Sequence, residues 1–244
     1  MKINVVNLGM MPYGQALDLQ VRLVEKRQNQ EIGNTLLLLE HPPVLTLGTR
    51  GQTDHIYLSD EALKSQGIEV FRVNRGGDVT YHGPGQIVGY PIFDYRDFCK
   101  HIRDFVELLE QAIIDLLQDE YGISAHKETD HFTGVWVGDV KICALGIAVK
   151  RWITMHGFAF NVNTNLDHFK WINPCGLSRG VTSVAQLTGR KADLPMVYAQ
   201  VAHYLAKTFA CETDEVSLSS LLDEQHAVAT HMDQQVVATH KAGE

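Results

Sequence analysis

The sequence predicts an α/β fold of the α+β type, a mixed sheet with flanking helices. Three observations carry this. Strand-length apolar runs and amphipathic helices both occur, yet they do not alternate as regular βαβ units. Gly138-Asp139 separates two apolar runs, a two-residue hairpin signal. Of the 244 residues, 45% are hydrophobic and 20% charged, enough to bury a core without disulfides.

Taken in order, a short first strand is followed by Tyr13, Leu17, Val21 and Val24 at helical spacing. Thr35 to Leu39 is a buried strand, and Val44 to Leu47 follows after the break at Pro42 and Pro43. Ser59 is placed to cap a short helix that Gly67 ends. Glu69 to Val73 reads as a strand, and the glycines and proline of RGGDVTYHGPG then predict an irregular loop. Gln86 to Phe93 returns to a strand. The longest helix is expected from about Asp97 to Tyr121, with Phe98, Ile102, Phe105, Leu109, Ile113 and Leu116 on one face and Gly122 as the stop. The hairpin around Gly138 comes next, then a strand from Phe158 to Val162. A short helix is expected near Ser183 to Leu187, and a last one from Leu194 to Phe209.

No linker divides the chain before about Thr213. From Glu212 onward seven acids face Lys241 alone, and VATH occurs twice. The expected division is a catalytic domain over 1–211 and a polar, acidic, flexible tail over 212–244. The net charge of −8 argues against a nucleic-acid binder. The N-terminus lacks the apolar core of a signal peptide, and no apolar stretch has the length of a membrane span. A cytoplasmic protein is expected, with Cys99, Cys143, Cys175 and Cys211 as free thiols.

Chemistry concentrates in three places. The loop Arg75-Gly76-Gly77-Asp78-Val79-Thr80-Tyr81-His82 mixes glycines, which let backbone approach a ligand, with a cation and hydrogen-bonding side chains. It lacks the endings of phosphate-binding motifs. Lys141 opens a strand that is apolar on both faces, so burial on both sides is expected, which would favour its neutral amine. A lysine whose tip reaches water is the alternative. Cys175, between Pro174 and Gly176, is the cysteine best placed on a loop and the candidate nucleophile. The 12 histidines show no zinc-like spacing, so no metal and no cofactor is expected. His82 and His156 remain candidate bases.

Together RGGDVTYHGPGQIVGYP, KICALGIAVKRWITMHGFAFNV and INPCGL, with HPPVLTLG at His41, resemble the octanoyltransferase family of lipoate biosynthesis. The match holds in order and spacing over most of residues 1–211. It implies a biotin/lipoate protein ligase-like fold and transfer of an octanoyl group from octanoyl-acyl carrier protein to a lysine of lipoyl domains. The acceptors it implies are those of 2-oxoacid dehydrogenases and the glycine cleavage H protein. It further implies Cys175 as nucleophile, Lys141 as its activator, and substrate contacts from Arg75 to His82, from Ala144, Leu145 and Gly146, and from Gly157, Phe158 and Ala159. Ala144 stands where a serine would also fit, which leaves backbone contacts intact. Both protein partners are typically acidic, so a basic rim is expected from Arg50, Lys150, Arg151 and Arg179. A monomer is expected. The rival readings are an ATP-dependent ligase of the same fold, a non-catalytic acyl-carrier-binding module, and an unrelated cysteine hydrolase with His82 or His156 as base.

Overall fold

The computed structural model describes residues 1–128, 133–173 and 179–222. In chain order the elements are Lys2–Met10 (β1), Tyr13–Gln28 (α1), Thr35–Glu40 (β2), Val44–Leu47 (β3), Asp60–Ser65 (α2), Glu69–Arg72 (β4), Val79–His82 (β5), Gln86–Ile92 (β6) and Ile102–Tyr121 (α3). There follow His126–Lys127 (β7), Gly134–Val137 (β8), Val140–Lys150 (β9), Ile153–Asn161 (β10), Val184–Thr188 (α4), Leu194–Thr208 (α5), Glu212–Glu215 (β11) and Leu218–Leu222 (α6). Among the described residues the main sheet has eight strands, ordered β11-β1-β2-β6-β10-β9-β8-β7. A second sheet runs β4-β3-β5. The pairs β11–β1 and β1–β2 are parallel, and from β2 to β7 every pair is antiparallel.

The main sheet is covered on both faces, and β2 shows why. Its side chains alternate between faces. Leu36 and Leu38 join Phe105, Leu109, Ile113 and Leu116 of α3 and Val197 and Val201 of α5. Leu37 and Leu39 join Leu19, Leu23 and Val24 of α1 on the other side. Each such side chain, fully buried, contributes roughly 2 kcal/mol. A third apolar cluster, with Leu45, Leu47, Leu63, Ile68 and Val79, holds the small sheet to α2.

Local signals set several ends. Ser59 caps α2 by accepting from Ala62 N, and Ser183 caps α4 by accepting from Gln186 N. Gly122 ends α3 in the left-handed region, with φ 64°. The β8–β9 hairpin turns at Gly138-Asp139, as the sequence predicts.

Four expectations are corrected. First, α3 begins at Ile102, because Tyr95–Asp97 forms a separate 3-10 turn held by Asp94, whose side chain accepts from Arg96 N. Second, the glycine-rich segment is not irregular throughout. Val79–His82 are good strand formers, and they pair antiparallel with β3 between flanking glycine turns. Third, β9 is mostly half-buried, with only Ile142 and Cys143 fully enclosed, because part of its apolar surface lines a cavity. Fourth, the chain does not turn flexible at 212. β11 pairs with β1, and Leu221 of α6 is buried in the α1-side core. Residues 223–244 lie outside the described residues. No helix among those described is long and apolar enough to cross a membrane.

Candidate active site

Beyond Ala144, β9 runs past the end of β8, which pairs only as far as the Gly134–Ala144 match. The freed edge meets the turn before β5 instead. Gly76 N donates to Ile147 O at 3.1 Å, and a Cβ on Gly146 would stand 2.7 Å from Gly76 O. Gly146 is therefore required for two backbones to cross. On the neighbouring strand, a Cβ on Gly157 would overlap Gly89 O. These close approaches bring three segments that are distant in sequence around a cavity of about 900 Å³. It lies within the usual range for a small-molecule site.

One end of the cavity is charged. Lys141 stands at a β-bulge, where the register shifts between Val135 and Trp136, the residues facing Cys143 and Lys141. Bulges re-aim side chains. Here the Lys141 Nζ donates to Thr133 O at 3.0 Å and lies 4.7 Å from the centre of the Trp136 ring. Arg179 stacks on the same ring, 5.1 Å from its centre, and pairs with Glu128 at 2.9 Å. The Lys141 backbone is clamped as well. Its N–H donates to Gly180 O, and its carbonyl accepts from Thr182 N. Cys175 lies outside the described residues, and the chain on its C-terminal side, from Arg179 to Val181, lines the cavity beside Lys141. Elsewhere burial pushes the thiols of Cys99, Cys143 and Cys211 upward, away from the reactive thiolate.

The other end is polar and deeply buried, and its charged groups are the Arg75 guanidinium and the Asp78 carboxylate on the same turn. Arg75 donates to Thr46 O and Thr46 Oγ1, both at 2.8 Å, and to Gly76 O at 3.1 Å. His82 Nδ1 donates to Gln86 Oε1 at 2.8 Å, and Gln86 in turn donates to Asn161 Oδ1 at 2.9 Å. His156 Nε2 donates to Asn74 Oδ1 at 2.8 Å, which leaves Nδ1 as the acceptor, buried and without a protein partner. His156 also has φ 57° within a strand, a conformation that costs energy for any residue but glycine. Burial, aided by the Arg75 charge, pulls its imidazole down to about 4. Burial likewise pulls His82 well below its usual value. Both are held neutral at pH 7, and a base with so low a pKa abstracts protons poorly.

This arrangement has known relatives. Residues 12–206 match the lipoyl protein ligase A/B catalytic domain. The chain is 56% identical over 222 residues to the octanoyltransferase of Caldicellulosiruptor saccharolyticus, covering 91% of this chain and 94% of that one. The chain belongs to the octanoyltransferase family. Its similarity to the Caldicellulosiruptor bescii octanoyltransferase is 53% over 224 residues, covering 91% of this chain and 98% of the relative. In fold it resembles a bi-partite lipoate protein ligase from Thermoplasma acidophilum, with TM-score 0.70 and 16% identity over 91% of this chain and 89% of that chain.

Of the residues that the family resemblance singled out, Lys141, Arg75, Gly76, Gly77, Asp78, Val79, Thr80, His82, Ala144, Leu145, Gly146, Gly157, Phe158 and Ala159 all line this octanoyltransferase cavity. Tyr81 does not. It alternates away from the cavity, and its hydroxyl meets His168 Nδ1 at 2.6 Å. Asp78 lines the cavity and also pairs with His55 at 2.7 Å. Of the expected basic rim, Arg50 and Arg179 line the cavity, whereas Lys150 and Arg151 sit at the far turn of the β9–β10 hairpin. Sequence reading missed Tyr13, Tyr90, Glu110 and Trp136, which also line it. Only Trp136 carried a local signal, as the cross-strand neighbour of Lys141 in a readable hairpin.

Proposed function

We propose that this acyltransferase moves an octanoyl group from the thioester of octanoyl-acyl carrier protein, through a thioester on Cys175, to a lysine amine of lipoyl domains. The domains of 2-oxoacid dehydrogenases and the glycine cleavage H protein are the acceptors that the family resemblance implies. The enzyme works as a monomer and without a cofactor, and its folded unit takes in β11 and α6 beyond residue 211. The observation that carries this reading is Lys141, which lines the cavity with its Nζ held by a backbone carbonyl.

The chemistry is that of a lysine base and a thiol nucleophile. Lys141 takes the Cys175 proton, and the thiolate attacks the octanoyl carbonyl carbon. As the tetrahedral intermediate collapses, the carbonyl carbon–sulfur bond to the carrier breaks. The departing carrier thiolate takes the proton from the Lys141 ammonium. One thioester is exchanged for another, so no activation by ATP is needed. The acceptor amine then attacks the Cys175 thioester. It gives up a proton to Lys141, and Cys175 leaves as thiolate, which restores the pair. Backbone N–H groups around the glycine turns are the donors available to an oxyanion. Arg75, the glycines that follow it and Ala144–Gly146 bound the acyl chain. The cationic Arg50 and Arg179 favour an acidic carrier at the mouth.

The test is transfer without ATP. Purified protein, octanoyl-acyl carrier protein and an apo lipoyl domain should give an octanoyl-lysine adduct on the domain by mass spectrometry. Transfer of free octanoate that appears only with ATP would sink the proposal and point to a ligase.

A further inference from the structure

Glu110 has no part in the chemistry described so far. It lies on α3, 4% exposed, and lines the cavity. The other buried acids among the described residues pair with basic side chains, Asp78 with His55 and Asp94 with Arg96. Glu110 makes a different contact. Its Oε1 accepts the backbone N–H of Gly134 at 2.7 Å. The peptide group that supplies this N–H also contains the Thr133 carbonyl, and that carbonyl accepts from Lys141 Nζ at 3.0 Å. Carboxylate, peptide and ammonium thus form one series of hydrogen bonds.

We propose that Glu110 is the positioning residue of Lys141, acting through the peptide that joins Thr133 to Gly134. This inference rests on the reading of Lys141 as the activating base. A carboxylate that accepts from a peptide N–H polarises the group and strengthens its carbonyl as an acceptor. The strengthened acceptor then helps to hold the end of a flexible four-carbon side chain that also lies over the Trp136 ring. Gly134 fits the role. It has φ 143°, and a Cβ there would lie 2.7 Å from Cys143 O and 3.0 Å from Lys141 Cε. The lysine stem runs directly across this glycine, so whatever fixes the Thr133–Gly134 peptide fixes the floor on which Lys141 lies.

The carboxylate also acts by charge. Burial raises the proton affinity of Glu110 most; the Gly134 N–H, then Lys127 of β7 and Lys141 of β9, oppose it, and Glu107 on the same helix adds to it. The Cys143 thiol of β9 is buried within reach of the same charge. On the far side of Lys141, Arg179 shares the Trp136 ring and is itself paired with Glu128 and, at 3.9 Å, with Asp139. Glu110 therefore offsets the repulsion of Arg179 and favours the ammonium form of Lys141.

The test is Glu110→Gln, which keeps the volume and an oxygen to accept from Gly134 N–H but removes the charge. Single-turnover acylation by octanoyl-acyl carrier protein would be measured against pH, with near-UV circular dichroism to confirm the fold. The expected result is an acidic limb displaced by about one pH unit to lower pH, with a rate about tenfold lower on its plateau. Glu110→Asp keeps the charge but falls short of Gly134. It should slow acylation while leaving the limb within about 0.3 pH units of the parent, which decides the matter if the glutamine variant does not fold. In a Lys141→Ala background Glu110→Gln should change nothing further. A glutamine profile that superimposes on the parent, full activity in the aspartate variant, or an equal loss in both backgrounds would each overturn the inference. Full activity of Lys141→Ala alone would instead sink the reading of Lys141, so the two failures are distinguishable.

Discussion

Lys141 and His156 stand on paired strands of one hairpin and line one cavity, yet their surroundings differ in kind. Lys141 is half-buried, held by a carbonyl, and shares its neighbourhood with Glu110 and Arg179. His156 is almost fully enclosed, strained in its backbone and neutral beside the Arg75 guanidinium. A proton carrier must change charge during each turnover, which a site with compensating charges and access to water permits at low cost. A group enclosed without a counter-charge resists protonation and so gives shape rather than chemistry. On the chemistry proposed above, the cavity is divided between an end that does acid–base work and an end that holds its form.

Removing the lysine should give the largest difference between the ends. Lys141→Ala is expected to slow acylation of the protein by about 10²- to 10⁴-fold, measured by quenched-flow mass spectrometry. The polar end lacks a group able to replace it, because His82 and His156 are both pulled down in pKa.

The crossing between the ends should be next most sensitive. Gly146→Val would push a side chain against Gly76 O. A loss of about 1–3 kcal/mol in urea unfolding is expected, the usual cost of overpacking. Octanoyl transfer should fall with it, because the turn that carries Arg75 must move. Unchanged stability would mean that the approach of the two backbones is not a constraint.

The neutral end should reveal itself in acid. His156 and His41 are both pulled down to about 4 by burial. For a depressed histidine the unfolded chain binds the proton first. The stabilising effect is therefore complete above pH 6.5 and is lost as the pH falls from there towards 4. The loss is on the order of 3 kcal/mol for each residue. The urea midpoint should drop steeply over that window, and His156→Gln should make the drop shallower. Parallel curves would show that His156 does not resist protonation.

The smallest effect should come from the hairpin tip. Lys150 and Arg151 lie about nine residues along β9 from Lys141, roughly 30 Å at ~3.4 Å per residue. Lys150→Glu with Arg151→Glu should change acylation by a small octanoyl thioester less than about twofold. Arg179→Glu, at the Trp136 ring, should slow it more.

What the sequence disclosed depended on how local each signal is. The β8–β9 hairpin was readable because Gly138-Asp139 interrupts two apolar runs, and this hairpin carries Lys141. The caps at Ser59 and Gly122 were readable for the same local reason. Strand β5 was hidden by the glycines on either side of it, although Val79-Thr80-Tyr81-His82 favours an extended chain. The early start assigned to α3 came from Phe98, which keeps helical phase but packs against Phe93 and Phe209 before the helix begins. The walls supplied by Tyr13, Tyr90 and Glu110 were not readable at all. Each reaches the cavity through sheet order and helix placement, and in the sequence each is one more residue on an amphipathic or apolar segment.

The most direct measurement of the central claim is the intact mass of the protein after brief mixing with octanoyl-acyl carrier protein in the absence of ATP, followed by peptide mapping. The account predicts an octanoyl adduct on the peptide containing Cys175, absent in Cys175→Ala and formed far more slowly in Lys141→Ala. An adduct that maps elsewhere, or that forms at the same rate without Lys141, would contradict it.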